Sequence, residues 1–428
     1  MASLAARQHR GTPEPFLASP AQVTRVVARL ARQIRAGARR ETDGRIVWSH
    51  TAYLERRLAG TREGRPDGYW DLYSGIPGIA LFFAACDRTG LEDGRAFALE
   101  ILAPIRTQAR AAIHGEDIGR LGRLGIGGFV GLGSLVYSLL KIGELLDEPD
   151  LREEAHALGA LLTPAKVLVD EHLDVVYGSA GAVLALLALD LVAPHPNAAG
   201  STPLELAQLC GRHLLSRQSS DPTRPRTWNT LPGRPPRLGL AHGAAGIALA
   251  FARLFRRTGS VEWWQAARQG LDFERPRLSA RPGSSPWAAS SEASGWCSGA
   301  AGIALALLGC AEAAPDDAER AEISRLARAA LTAVRSAPAG ALDHLCCGNL
   351  GRAEALAHAC QQTGDGEALR SAGALADRVV ESAVERGHFR GDYRGRLDSS
   401  LFRGAAGVGY ALLRLLAPET LPCPLVLE

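Results

Sequence analysis

Three cysteines stand out by position. Cys297 lies in Gly295-Trp-Cys-Ser-Gly-Ala-Ala-Gly302, and Cys346 and Cys347 lie in Leu345-Cys-Cys-Gly-Asn-Leu-Gly351. Each group sits just ahead of a Gly-x-x-Gly turn that opens an apolar run. Three thiols from two separate turns make a candidate metal site. Soft thiolates favour zinc over magnesium or calcium, and three protein ligands leave a fourth position for water or substrate. A free cysteine often packs as a small buried apolar group instead. That reading suits Cys86, Cys210, Cys310, Cys360 and Cys423, which lie singly in apolar segments or near the end. It suits three cysteines in equivalent turns, two of them adjacent, much less well.

The turns belong to a repeat. Gly-x-x-Gly followed by an apolar run begins at Gly75, Gly128, Gly178, Gly243, Gly299, Gly348 and Gly404. The period is roughly fifty residues, room for two helices and two connections. If the turns are equivalent, the residues just before them converge on one rim. Those residues include Asp174, Tyr177, His242, Cys297, Cys346, Cys347, Phe402 and Arg403. His242 taken alone reads as a core histidine, and Asp174 taken alone as a helix N-cap. On a rim shared with three thiols they become a candidate acid–base pair. His344 is read as a residue that caps or packs beside the turn, with metal ligation as the alternative. Arg403 could bind a carboxylate or only neutralise the rim.

Positioning these residues calls for two kinds of helix. Segments after the turns, such as Ala182 to Leu189 and Ile303 to Leu308, are apolar all round and must be buried on every side. Segments between them, such as Asp316 to Arg335 and Glu367 to Arg386, are amphipathic and suit an outer layer. Strand signals are weak. The expected fold class is all-α, a double layer of helices closed as a ring. A solenoid would need polar capping repeats, and the first and last units are as apolar as the rest. The longer spacing before Gly243 points to an inserted loop, Ser219 to Arg237. Residues 1–69 are read as an N-terminal arm and helical extension, and residues 70–428 as the repeat domain. In the extension, Ser19-Pro20-Ala21-Gln22 predicts a helix start with a capping box, and Val23, Val27, Leu30 and Ile34 form its apolar stripe.

Of 428 residues, 46% are hydrophobic and 22% charged, so a large core is available. A net charge of +3 gives no basis for nucleic-acid binding. No apolar run reaches membrane-span length and no signal peptide is visible, so a cytoplasmic location is expected.

Leu72-Tyr-Ser-Gly75, Tyr177-Gly-Ser-Ala-Gly181, Leu240-Ala-His-Gly243, Trp296-Cys-Ser-Gly299 and Cys346-Cys-Gly348 resemble the lanthionine synthetase C-like cyclases. The resemblance covers about residue 70 to the end. It implies an α/α toroid of seven inner and seven outer helices with zinc at its rim. It also implies an activity, the addition of cysteine thiolates to dehydroalanine or dehydrobutyrine in a dehydrated precursor peptide, forming thioether rings. Carried over by motif, Cys297, Cys346 and Cys347 would hold the zinc, and Asp174 and His242 would be the acid–base residues. The Cys-Cys-Gly form, where many standalone cyclases have Cys-His-Gly, is closest to the cyclase domain of bifunctional lanthionine synthetases. An arginine common four residues before the first zinc cysteine is Ala293 here. No dehydratase domain or phosphoryl-activating motif is visible, so the sequence is read either as an isolated cyclase domain or as a standalone relative, with dehydration expected elsewhere and a separate dehydratase as one candidate.

Two other readings stay open at this level. One is addition of glutathione or another thiol to dehydrated peptides. The other is a peptide-binding scaffold with structural zinc. A prenyltransferase-type zinc enzyme would also use a helical toroid, but no aspartate-rich diphosphate motif is present.

Overall fold

The computed structural model describes residues 17–51, 69–219, 226–231, 233–278, 294–391 and 397–428. Ala293, residues 1–16, residues 52–68 of the extension, and residues 220–225 and 232 of the inserted loop lie outside them. Helix α1 (Pro20–Ala36) leads into a hairpin of β1 (Arg39–Arg40) antiparallel to β2 (Ile46–Val47), the one two-stranded sheet among the described residues. Inner and outer helices then alternate. Inner α2 (Ile76–Arg88) precedes outer α3 (Arg95–His114), and inner α4 (Leu132–Leu146) precedes outer α5 (Pro149–Ala160). After the short α6 (Pro164–Leu168) come α7 (Ser179–Asp190) with α8 (Pro203–Ser216), and α9 (Ala244–Thr258) with α10 (Val261–Leu278). The rest are α11 (Ala300–Ala313) with α12 (Asp317–Ser336), α13 (Asn349–Thr363) with α14 (Gly366–Arg386), and α15 (Ala405–Leu416).

Each inner helix packs on the next, and α15 packs back on α2. The turns close the same circle, because Phe402 N–H donates to the Tyr73 carbonyl at 3.1 Å. This is the closed α/α toroid the repeats predict. The outer partner of α15 is α1, which buries Val23, Val27, Leu30, Ala31 and Ile34. Its start departs from the expected capping box, since Ser19 makes no side-chain cap and Gln22 N–H binds the Ser19 carbonyl instead.

The two layers follow from pattern. From Ile76 to Cys86 every residue of α2 is buried. In α12 the buried set is Ile323, Leu326, Ala327, Ala330, Leu331 and Val334, one face at helical spacing. Asp316 caps that helix by accepting from Glu319 N–H at 2.9 Å.

Six inner helices take the first repeat glycine as N-cap, with extended backbone there. The second glycine lets the incoming turn fold against the first helical turn. A Cβ at Gly302 would lie 1.9 Å from the Trp296 carbonyl oxygen, and one at Gly351 would lie 1.8 Å from that of Leu345. The second unit corrects the sequence alignment. Its N-cap is Gly131, at φ +127°, not Gly128. Gly128 serves contact between turns, since a Cβ there would lie 2.7 Å from the Gly181 carbonyl oxygen. Gly-x-x-Gly thus marks two different close approaches, which spacing alone does not separate.

The ring is filled along its axis. Beneath the rim, Phe402 packs on Tyr73, Phe129 and Trp296 with ring centroids 4.8, 5.1 and 4.8 Å away. Residues 421–428 plug the space below. Leu425 accepts from Trp296 Nε1 at 2.9 Å, and Val426 from Arg253 Nη1 at 2.7 Å. Arg253 also pairs with Glu428, while Arg414 pairs with Glu354. Buried charges are thereby paired.

Candidate functional site

The two cysteine turns are stitched together by backbone. Trp296 N–H donates to the Cys346 carbonyl at 2.8 Å, and Cys346 N–H to the Phe402 carbonyl at 3.0 Å. Gly295 allows this, because a Cβ there would meet the Cys347 Cα at 2.9 Å. Cys297 and Cys346 occupy the second position before their N-cap glycines, and Cys347 the first. Three sulfurs therefore meet. Cys347 Sγ is 3.2 Å from Cys297 Sγ and 3.3 Å from Cys346 Sγ.

These thiols cannot all ionise without a cation. Hydrogen bonds from Cys346, then Cys347, hold the Cys297 thiol far below its ordinary range. The same bonds to Cys297 push Cys346 and Cys347 up. A soft dication would stabilise three thiolates together. The separations of 3.2 and 3.3 Å are shorter than the spacing of about 3.8 Å for a tetrahedral zinc with 2.3 Å bonds, and all three sulfurs lie within 4.8 Å of one another. The donor set fits zinc. The N-terminal ends of the inner helices also point at this rim, and their dipoles favour negative charge there.

His242 precedes the N-cap glycine of α9, and Asp174 lies four residues before that of α7. The structure brings them together. His242 Nδ1 donates to Asp174 Oδ2 at 2.7 Å. Asp174 is fully buried, while the His242 side chain keeps 27% exposure. The other carboxylate oxygen, Oδ1, accepts from Tyr177 N–H at 2.7 Å. The Asp174 carboxylate thus braces its own turn and orients the imidazole, one oxygen for each. Asp71 braces the first turn in the same way, accepting from Ser74 N–H at 2.5 Å. Tyr177 lies face to face with His242, centroids 5.7 Å apart at 16°. The histidine and the thiols share one electrostatic environment, since His242 helps to lower Cys297.

His344 stays outside the sulfur triad. Its Nδ1 accepts from Cys347 N–H at 3.4 Å, which braces the cysteine turn. Burial first, then Arg403, hold its pKa down to about 4, so the ring is neutral at pH 7. Tyr73 is a neighbour that sequence reasoning passed over. Its hydroxyl hydrogen-bonds Cys346, and burial raises its pKa well above the ordinary value. The available signal was repeat position, because Tyr73 stands where Cys297 and Cys346 stand in their own turns. Burial opposes the charge on Arg403, but Tyr73, Cys346 and Cys347 around it raise its pKa further.

The lanthionine synthetase C-like family model matches residues 66–427. The chain belongs to this family. Nisin cyclase matches in structure with a TM-score of 0.57 at 16% identity, covering 88% of this chain and 95% of that one. The unsaturated glucuronyl hydrolase from Bacillus sp. GL1 matches with a TM-score of 0.41 at 16% identity, over 74% of this chain and 84% of that one. No curated protein sequence matches. In this lanthionine synthetase C-like chain, no described helix is long and apolar enough to cross a membrane.

Proposed function

We propose that this protein is a zinc-dependent lanthionine cyclase, adding cysteine thiolates to dehydroalanine or dehydrobutyrine within a dehydrated precursor peptide. The observation that carries the reading is the meeting of the Cys297–Cys346–Cys347 sulfurs and the Asp174–His242 pair on one rim of a family toroid. Cys297, Cys346 and Cys347 would hold the zinc. When bound, zinc would supply a Lewis acid that lowers the pKa of an incoming thiol at neutral pH.

The chain's own residues handle the protons. A peptide cysteine has a reference pKa of about 8.5 and arrives mostly protonated. With Nδ1–H committed to Asp174, Nε2 of His242 is the atom left to take that proton. The thiolate adds to the β-carbon, and the alkene electron pair moves toward the α-carbon and its carbonyl oxygen. The imidazolium, held by the Asp174 carboxylate, stabilises this enolate and returns the proton to the α-carbon. One C–S bond and one C–H bond form, one S–H bond is lost, and the double bond becomes single. Nothing leaves, so ring closure is an isomerisation. Serine and threonine must be dehydrated beforehand, a step that this isomerisation does not supply.

The test follows from that balance. A dehydrated, cysteine-containing peptide treated with the protein and zinc should become resistant to thiol alkylation at constant mass. The same peptide before dehydration should remain fully alkylatable. A mass gain of one glutathione when glutathione is present, without ring closure, would replace this reading with intermolecular addition. Peptide that binds but stays alkylatable would leave only a scaffold.

A further inference from the structure

Beside the thiol rim lies a groove that the chemistry above does not use. It encloses about 770 Å³ and is lined by Leu231, Arg234, Pro235, Pro236, Arg237 and, from the turn of Cys297, Ser298. We propose that Arg234 and Arg237 bind carboxylate side chains of the substrate peptide flanking the reacting cysteine, and so select acidic substrate segments. This rests on the cyclase reading for the identity of the peptide.

The loop that carries the arginines is anchored to the site itself. Trp228, 1% exposed, donates through Nε1 to the Leu214 carbonyl at 2.8 Å. Thr230 Oγ1 donates to the carbonyl of His242 at 2.5 Å. At the far end, Ala244 N–H binds the Arg237 carbonyl at 3.1 Å, and Gly239 N–H binds the buried Glu274 at 2.7 Å. Gly239 has φ +100° and passes so near the cysteine turn that a Cβ would lie 2.6 Å from Ser298 Cα. A residue with a side chain there would push the groove off the rim. The segment is thus held by His242 at one side and by the Cys297 turn at the other.

Charge supplies the second argument. Both guanidinium groups are exposed. Among the described residues neither makes a side-chain hydrogen bond or ion pair, whereas Arg35, Arg95, Arg106 and Arg275 all face carboxylates. Guanidinium forks suit carboxylates, which they bind through two parallel hydrogen bonds. Pro235 and Pro236 stiffen the wall between them, so little chain entropy is lost on docking. A peptide whose cysteine reaches the sulfur triad past Ser298 would lay its neighbouring residues along this wall.

The test separates binding from turnover. Two fluorescent dehydrated peptides, alike except for Asp and Glu versus Asn and Gln beside the cysteine position, carry serine in place of cysteine. Neither can close a ring. Fluorescence anisotropy on the zinc-loaded protein should show the acidic peptide binding about tenfold more tightly at low salt. The preference should shrink at high salt. The double variant Arg234→Gln/Arg237→Gln should lose the preference while keeping its zinc, its thermal unfolding midpoint and its affinity for the neutral peptide. With cysteine restored, the same preference should appear in KM and not in kcat. Equal binding of both peptides by the wild-type protein, or a preference that survives in the double variant, would overturn the proposal. A binding preference without ring closure would count against the cyclase reading and leave the carboxylate-binding surface standing.

Discussion

At the residue scale the site is a division of labour between sulfur and nitrogen. Replacing Cys297, Cys346 or Cys347 by alanine should abolish zinc retention and cyclisation together, read by metal analysis and the alkylation assay. Full zinc retention in Cys297→Ala would remove that ligand. His242→Asn and Asp174→Asn test the other half. Asn at 174 keeps an oxygen for the Tyr177 N–H, so the turn should survive while the imidazole loses its charged partner. Both variants should keep zinc and fold and cyclise about 10²–10⁴-fold more slowly, the range for general acid–base groups. Wild-type rates in both would end the assignment. Asp174 is not the helix N-cap that its residue type suggested, since Gly178 holds that place; its Oδ1 accepts from Tyr177 N–H inside the turn and its Oδ2 from His242. Tyr73 was not legible, because a tyrosine among cysteine turns has no chemical signature until its hydroxyl is seen on Cys346.

At the scale of the element, the repeated turn is what places each side chain. Its second glycine tolerates no Cβ. Gly351→Ala should cost more than about 3 kcal/mol, because the atom in its way, 1.8 Å off, is the Leu345 backbone carbonyl and cannot swing aside. Gly366→Ala is the control. That glycine opens α14 with only the flexible Arg370 side chain nearby, at 3.5 Å, so alanine should be neutral or slightly stabilising. Urea denaturation of both variants checks the pair, and similar midpoints would refute the steric account. Six of the seven turns were readable in phase. The second was not, because Gly128 satisfies the same pattern for a different contact, against Gly181, while Gly131 carries the cap.

At the scale of the whole molecule, the ring depends on its first helix and on its plug. We take residues 70–428 as the cyclase toroid and residues 1–69 as an extension whose helix α1 serves as outer partner to α15. Val27→Asp, at a fully buried position of that interface, should therefore destabilise the ring by on the order of 3 kcal/mol. Arg25→Ala on the exposed face should not. Calorimetry showing a normal transition for Val27→Asp would mean that the toroid stands without α1. The plug brings a pH dependence. His358, 4% exposed and 3.7 Å from Glu428, has its pKa lowered to about 4, burial outweighing the carboxylate. The unfolded value is about 6.5, so between pH 6.5 and 4 the unfolded chain holds the proton and the folded one does not. Stability should fall as pH drops through that window and be unaffected by this group above it. From pH 7.5 to 5 the loss attributable to His358 is about 2 kcal/mol. Urea midpoints of His358→Gln should fall less over that range than those of the wild type. Parallel curves would exclude the histidine as the cause.

The sequence by itself determined the helical class, the two layers and the rim. Each of these is a local property repeated: apolar all round or on one face, with glycine before the start. It also offered Asp174, His242, Cys297, Cys346 and Cys347 as candidates, because residues one to four places ahead of repeated helix starts are carried to one rim. What needed the tertiary structure was every relation between distant segments. The closure of Phe402 on Tyr73, the docking of α1 beside α15, and the descent of residues 421–428 to Trp296 join parts of the chain that no periodicity connects. The 2.7 Å bond from His242 to Asp174 and the loop that sets Arg234 and Arg237 beside Ser298 are of the same kind. Periodicity encodes which face of an element is buried. Which partner covers that face is decided by packing and hydrogen-bond satisfaction across the fold, and those depend on all the elements at once.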